Sequence, residues 1–395
     1  MVKKRTAKSR TRSKSTKTGK PDKILIYFTI GMALFGLLMI FDASVYQANT
    51  VFHNQFHFVL LQSIWLIIGL IPAIAIILWD YKKFCKLAFP ALIVNIILLI
   101  AVLLIGIKLG GSKRWFLIGP IPIQPAELIK PIFIMYLATW LSKTEPKRSN
   151  SSEGLKKQFQ QKLTQFLVIL SVILLLVLFE PDLGTTMILG ATAFGMFFLS
   201  GTNKIHRRGT IQVLIIFVII AGVAALLKSY RIVRIKTFFQ LLTTGEVADP
   251  WGEGYQMNQV LIGIGSGGFW GKGFGQSRQK FGYLVENTAF TDSIFAIILE
   301  ELGMISGILI LAAWGVFLWR TYVIYQNTND KQGKLLAGGI GIWLTLQALM
   351  NIGANVGLIP LTGIPLPLLT YGGSGTLVAI IGIATLLNIS KPANL

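Results

Sequence analysis

Leu87-Ala-Phe-Pro-Ala-Leu-Ile-Val-Asn-Ile-Ile-Leu-Leu-Ile-Ala-Val-Leu-Leu-Ile-Gly-Ile107 carries no charge and one strongly polar side chain, Asn95. A helix rises about 1.5 Å per residue, so a run of this length spans the roughly 30 Å hydrocarbon core of a bilayer. Similar runs lie near 24–43, 58–79, 125–141, 165–180, 186–201, 209–228, 291–319, 335–356 and 369–389. The pattern predicts an all-α polytopic membrane protein with about ten transmembrane helices and both termini on one side. Composition agrees: the 395 residues are 53% hydrophobic and 13% charged, where a soluble domain carries about 25% charged residues. This excludes an ordinary soluble enzyme, a disordered chain and a fibrous repeat. A single cysteine, Cys85, excludes a disulfide framework and a Cys-based metal cluster, and three histidines argue against a His-rich metal site.

The net charge is +21, and its placement says more than its size. Ten Lys/Arg fall in residues 1–23, which read as a basic, solvated tail ahead of a membrane domain at 24–390 and a short end at 391–395. The first apolar run is long and lacks a cleavage-like end, unlike a secretory signal. The tail suits attraction to anionic membrane lipids, and no nucleic acid is needed to explain it. With the ten spans above, 26 of the 37 Lys+Arg lie on one side. The positive-inside bias makes that side cytoplasmic. The segments 44–57, 108–124, 181–185, 229–290 and 357–368 are then external. Two external regions nevertheless keep charge: 108–130, with Lys108, Lys113, Arg114, Glu127 and Lys130, and the long loop 229–290, from Arg231 and Arg234 through Lys280 and Glu286 to Asp292. Charge held near an outer membrane face suggests a site, although a long loop also carries polar residues for solvation alone.

Several motifs occupy these regions. In Gln124-Pro-Ala-Glu-Leu-Ile-Lys130, Pro125 suits the first turn of a helix, which places Glu127 and Lys130 on one face. They form either a self-neutralising pair or the charged wall of an outward cavity. Asp182, in Glu180-Pro-Asp-Leu-Gly184, suits a helix cap as well as a substrate contact. Gly263-Ile-Gly-Ser-Gly-Gly268 fits G-x-G-x-x-G, but a dinucleotide fingerprint needs a soluble βαβ unit, so the run is expected to be a flexible or tightly turning loop. Asp292 lies at the external start of the eighth span, where a carboxylate serves either the helix dipole or proton transfer. Glu300 and Glu301 lie deeper on the same span and must face the bundle interior. Asn351, Asn355 and Pro360-Leu-Thr-Gly-Ile-Pro-Leu-Pro367 precede Tyr371-Gly-Gly-Ser-Gly375. Backbone this irregular is tolerated at membrane depth only where it is buried or lines a cavity.

Taken together and in order, these motifs resemble the SEDS family of membrane proteins (FtsW, RodA, SpoVE) over nearly the whole chain after the tail. The resemblance rests on Lys113-Arg-Trp115, Gln124–Lys130, Glu180–Gly184, Gly254-Tyr-Gln256, Ile264–Gly268, Thr291-Asp292, Glu300–Gly303, Asn351-Ile-Gly353, Thr362–Pro367 and Tyr371–Ser374. Ser277-Arg-Gln-Lys-Phe281 and the short link from Arg234 to Gly254 look more like the division branch than the elongation branch.

The resemblance implies an inverting peptidoglycan glycosyltransferase. It would polymerise lipid II, the undecaprenyl-pyrophosphate-linked disaccharide peptide, at the outer face of the plasma membrane, at the division septum. Asp292 maps to the family's essential aspartate, and Glu127 and Lys130 map to its cavity wall. Arg114, Trp115, Arg231, Lys280, Gln256 and Ser374 complete the expected substrate contacts. The implied partners are a class B penicillin-binding protein of the FtsI-like type, other divisome proteins and membrane lipids. The sequence specifies no cofactor; a divalent cation such as Mg is the candidate, since it would assist the pyrophosphate, but no ligand cluster is visible. The sequence departs from the family pattern in two places. Leu284-Val-Glu-Asn-Thr-Ala-Phe-Thr-Asp-Ser293 lacks the usual proline and is about two residues longer, which weakens Glu286 as a site residue. Asp42 replaces a small hydroxyl residue at the outer end of the first span. A lipid II flippase and a non-catalytic divisome scaffold are the competing readings. A flippase needs unusual polar residues on both faces, whereas here they concentrate outside.

Overall fold

The computed structural model describes residues 20–109, 112–118, 121–143, 152–201, 203–225, 229–252, 254–281 and 288–391. The basic tail up to residue 19 and Glu286 lie outside the described residues. In chain order the helices are α1 (Lys23–Phe52), α2 (His57–Leu78), α3 (Tyr81–Lys86), α4 (Ala88–Ile105), α5 (Pro125–Lys143), α6 (Ser152–Phe179) and α7 (Leu183–Ser200). They continue with α8 (Lys204–Ala225), α9 (Ser229–Thr244), α10 (Tyr255–Gly267), α11 (Ile294–Asn327), α12 (Lys331–Asn355) and α13 (Gly373–Ser390).

Each of the ten apolar runs falls in a helix, and the fold class is the expected helical membrane one. Among the described residues eight helices are long and apolar enough to cross a membrane: α1, α2, α4, α6, α7, α11, α12 and α13. Burial divides them into two sets. Most of α12 and α13 is buried, while α2 and α4 turn Leu60, Ile64, Ile67, Ile71, Ile97 and Leu104 outward. An apolar outer surface of this extent would aggregate in water and is the ordinary surface of a protein in lipid.

Three segments expected as loops have structure of their own. A small antiparallel sheet forms from β1 (Ile107–Leu109), β2 (Ser112–Ile118) and β3 (Ile121–Ile123), with Lys108 opposite Lys113 and Phe116 opposite Ile123. The external loop 229–290 contains α9 and α10. The Gly263–Gly268 run is not a loop: it is the C-terminal half of α10 and the turn that ends it.

The turn after α10 explains a break in α11. Gly303 has φ 75°, which interrupts the helix. Its freed backbone groups pair with the turn, Met304 N donating to Gly268 O at 3.0 Å, while Lys272 N and Gly273 N donate to Glu300 O and Glu301 O. The two backbones are so close that a Cβ on Gly303 would lie 2.3 Å from Phe269 O, and one on Gly271 would lie 2.1 Å from Glu301 O. Residues 268–281 therefore run as irregular backbone beside α11 at the depth of Gly303. The Glu300 carboxylate accepts from Lys272 Nζ (2.7 Å), Ser277 Oγ (2.6 Å), Arg278 N and Gln279 N. Glu301 accepts from Gly275 N (3.0 Å), Ser277 N (2.9 Å) and Lys280 Nζ (2.9 Å).

Gly303→Ala combines a positive φ with extended ψ, a region essentially reserved for glycine and costing about 1–3 kcal/mol, with a backbone clash. It is expected to lower the unfolding temperature in detergent by roughly 5 °C or more. Gly315→Ala in the same helix meets nothing within 4 Å and should be neutral or mildly stabilising, since alanine is the better helix former. Thermal unfolding of the two variants, followed by size-exclusion fluorescence, checks the contrast.

Candidate active site

Asp292 sits just ahead of α11, with its side chain only partly exposed. Its peptide carbonyl is clamped from below, Asn351 Nδ2 donating at 2.8 Å and Asn355 Nδ2 at 2.9 Å. Asn351 Nδ2 also reaches Ile364 O at 2.8 Å, and one turn earlier Gln347 Nε2 donates to Pro365 O at 3.0 Å. Gln347, Asn351 and Asn355 are spaced four apart on α12, so they form one polar row on a largely apolar helix. That row satisfies carbonyls of the irregular 356–372 segment and fixes Asp292 by its backbone, leaving the carboxylate lightly bonded.

The carboxylate accepts from Thr291 Oγ1 at 3.2 Å and from Gln256 Nε2 at 3.4 Å. Gly363 lies over it, a Cβ there falling 3.8 Å from Oδ2. Beside it a cleft is lined by Arg234, Thr237 and Phe238 of α9, Gln256 and Met257 of α10, and Ile359, Pro360 and Leu361. Arg234 is exposed and donates to Leu361 O at 2.8 Å. Burial pushes the Asp292 carboxyl above the usual carboxylate range, against the Thr291 hydrogen bond, the Arg234 charge and the Gln256 amide. An acid held lightly, with its proton affinity raised and a cation beside it, is equipped for proton transfer.

A second polar cluster lies across the 356–372 segment. Lys130 Nζ is 2.6 Å from Glu127 Oε1 and 3.3 Å from Gln347 Oε1, with the lysine only 1% exposed. Glu127 Oε2 is buried without a hydrogen-bond partner among the described residues. Ser374 Oγ accepts from Gln124 N at 3.1 Å, and Gln124 Nε2 reaches Asp182 Oδ2 at 3.3 Å. Asp182 caps α7 through Thr185 N at 2.9 Å. Arg114, from β2, donates at 2.7 Å to both Glu180 O and Pro181 O. The Glu180 carboxylate itself is fully buried, and neither oxygen has a hydrogen-bond partner among the described residues. Burial first, and Asp182 next, push its carboxyl up to about 8, opposed by the Arg114 charge.

The sequence-predicted residues thus separate. Asp292 and Gln256 meet directly. Glu127, Lys130, Ser374 and Arg114 belong to the second cluster, joined to the first through Gln347 and Asn351. Trp115 stays in the sheet opposite Ile107. Lys280 is not beside Asp292: its ammonium is buried between Asp42 and Glu301. The side chain of Arg231 lies outside the described residues. Gln347 was not anticipated, although its four-residue spacing from Asn351 and Asn355 is readable in the sequence.

Fold and site together define a multi-pass helical membrane protein with an acid-and-cation cleft at one end of its central helices. Residues 22–395 match the FtsW/RodA/SpoVE family, described as cell cycle proteins, and the chain belongs to that family. It is 35% identical over 377 residues to the probable peptidoglycan glycosyltransferase FtsW of Legionella pneumophila, covering 93% of this chain and 90% of that protein. It is 36% identical over 381 residues to the stage V sporulation protein E of Bacillus subtilis, covering 95% and 99%. Among solved structures, a chain from work on coordination of polymerization and crosslinking by a peptidoglycan synthase complex shares the fold with TM-score 0.72 at 23% identity, covering 95% and 98%. The rod shape determining protein RodA of Thermus thermophilus does so with TM-score 0.66 at 22% identity, covering 95% and 98%.

Glu180 gives a pH-dependent expectation. Its folded carboxyl is raised, so the folded state holds a proton that the unfolded chain, with an ordinary value near 4.3, gives up. Its stability contribution is whole below about pH 4 and is lost as pH rises towards 8. Glu180→Gln removes this titration. The variant should unfold at a higher temperature than wild type at pH 8, with the gap shrinking by pH 5. Thermal unfolding at matched pH values checks it, and a pH-independent gap would contradict it.

Proposed function

We propose that this chain is an inverting peptidoglycan glycosyltransferase that joins lipid II units at the outer membrane face during cell division. The observation that carries the reading is the placement of Asp292. It is held by its backbone to Asn351 and Asn355, and its carboxylate accepts from Gln256, which lines a cleft together with Arg234. In the proposed step the Asp292 carboxylate takes the proton of the acceptor 4-hydroxyl. That oxygen attacks C1 of the donor sugar from the face opposite the leaving group. The bond from C1 to the pyrophosphate oxygen breaks, and the lipid pyrophosphate leaves with the electron pair.

Negative charge that grows on the leaving group needs a cation. Arg234 suits this best, because it is exposed and among the described residues its hydrogen bond goes to a carbonyl, Leu361 O. Lys130 and Lys280 are already matched by buried carboxylates, so their roles lie in shaping the cavity. Among the described residues no group of three or more His, Cys, Asp or Glu stands ready for a metal. A divalent cation would therefore rest chiefly on the substrate pyrophosphate, and the proposed step runs without one.

We further propose that α5 and α8 complete ten crossings, with both termini cytoplasmic, and that the protein works at the septum. The relatives named as glycosyltransferases and the structural neighbour from a peptidoglycan synthase complex support both this chemistry and a crosslinking partner of the class B penicillin-binding type.

Purified protein with its penicillin-binding partner should convert lipid II to glycan. Asp292→Ala should reduce turnover by about 10²–10⁴-fold, the usual contribution of a general base, while remaining folded. Equal product from both would remove Asp292 from the mechanism. Movement of lipid II across vesicles without glycan would favour the flippase. The pH–rate profile gives a second check. Asp292 works ionised and its carboxyl is raised, so the acid limb should lie above the ordinary value near 4. Arg234→Gln removes a charge that lowers this value, and should shift the limb further up.

A further inference from the structure

Asp42, Lys280 and Glu301 form a buried ionic triad that the transfer step does not use. Lys280 Nζ lies 2.7 Å from Asp42 Oδ1 and 2.9 Å from Glu301 Oε1, and the three side chains are 3%, 7% and 0% exposed. A neighbouring pair, Lys272 with Glu300 at 2.7 Å, completes the group. Three carboxylates thus share two ammoniums. Glu300, Glu301, Lys272 and Lys280 balance without Asp42, and Asp42 Oδ2 has no hydrogen-bond partner among the described residues. Burying an extra carboxylate is costly, so charge balance alone gives no reason for Asp42 to be there.

Its position does. Lys280 ends the irregular segment beside α11, eight residues before the 3-10 turn Thr288–Phe290 that delivers Asp292. Glu301 fixes Lys280 to the helix that follows Asp292. Asp42 fixes the same ammonium to α1. That helix also packs against the Thr288–Phe290 turn, and one turn beyond Asp42 its Tyr46 ring meets Phe281 edge-on at 5.6 Å. Both ends of the segment leading into Asp292 are therefore held against α1, and Asp42 provides the polar anchor.

We infer that Asp42 is a positioning residue for the glycosyl transfer: through Lys280 and Glu301 it fixes α1, and the Thr288–Phe290 turn packed on it, against the start of α11, and so the placement of the Asp292 carboxylate. The inference rests on the glycosyltransferase reading above. Misplacing a catalytic group by about 1 Å costs up to roughly a hundredfold in rate. Asp42→Asn should therefore lower kcat for lipid II polymerisation about ten- to a hundredfold and leave KM within about twofold. The variant should fold, because the four remaining charges balance.

Asp22→Asn is the structural comparison. Asp22 is also a buried anchor of α1, paired with Arg320 at the far end of the helix and remote from Asp292. It should lower the unfolding temperature and leave kcat of the folded protein unchanged. Asp42→Glu keeps the charge but moves it by one methylene; it should fold and lie between wild type and Asp42→Asn in kcat. Wild-type kcat in Asp42→Asn, or losses in Asp42→Asn and Asp22→Asn that both follow only the folded fraction, would overturn the inference. If Asp42→Asn does not fold, Asp42→Glu decides, wild-type kcat overturning it and a fall supporting it. Glycan from wild type separates these outcomes from failure of the glycosyltransferase reading, which wild type without glycan would sink together with this inference.

Discussion

Backbone that is not helical must find hydrogen bonds at membrane depth, and the structure is organised around meeting that demand twice. Residues 268–281 run beside the break in α11, and Glu300 and Glu301 accept four of their backbone N–H groups. Residues 356–372 interrupt the path from α12 to α13, and Gln347 and Asn351 donate to two of their carbonyls. Each unsatisfied group would cost several kcal/mol in hydrocarbon. The two irregular segments lie on either side of Asp292, so the groups that make them tolerable also place the site.

This division of labour bears on the cations. Lys280 and Lys130 are each buried against carboxylates, away from the cleft. Arg234 rides on α9, a helix outside the central bundle, and keeps its guanidinium exposed. An anionic leaving group needs a charge that is already desolvated on one side and still uncommitted on the other. Arg234 is the cation in the cleft lining among the described residues, and its exposed guanidinium is free to meet that charge.

The membrane class was legible because a 20-residue apolar run admits few alternatives, as 87–107 illustrates. The family motifs put Asp292 and Gln256 on the page before any coordinates. What the sequence could not convey is tertiary pairing. Nothing in the local pattern of 107–123 announces a three-stranded sheet, since its strands are short and broken by glycine and proline. The Gly263–Gly268 run reads as a loop because glycines weaken a helix; it is helical because Gly263 and Gly267 let α10 approach Glu300 and the Leu299 carbonyl closely. Lys280 reads as a free cation until Asp42, 238 residues away, is seen to hold it.

The acids of this protein show why position along the chain is a poor guide to role. Glu300 and Glu301 are each engaged by several donors, and carboxylates so engaged are fixed in place and suited to structure. Glu180 has no donor at either oxygen and keeps its proton, so it is neutral packing with a latent charge. Asp292 lies between these extremes. Its side-chain hydrogen bonds from Thr291 and Gln256 are long and its proton affinity is raised, while four-residue-spaced amides fix its backbone. A general base must bind a proton in one step and release it in the next, which demands neither full solvation of its charge nor none. Donor count around the carboxylate, more than its depth or its neighbours in sequence, is what separates the acid able to turn over from the acids that hold the bundle together.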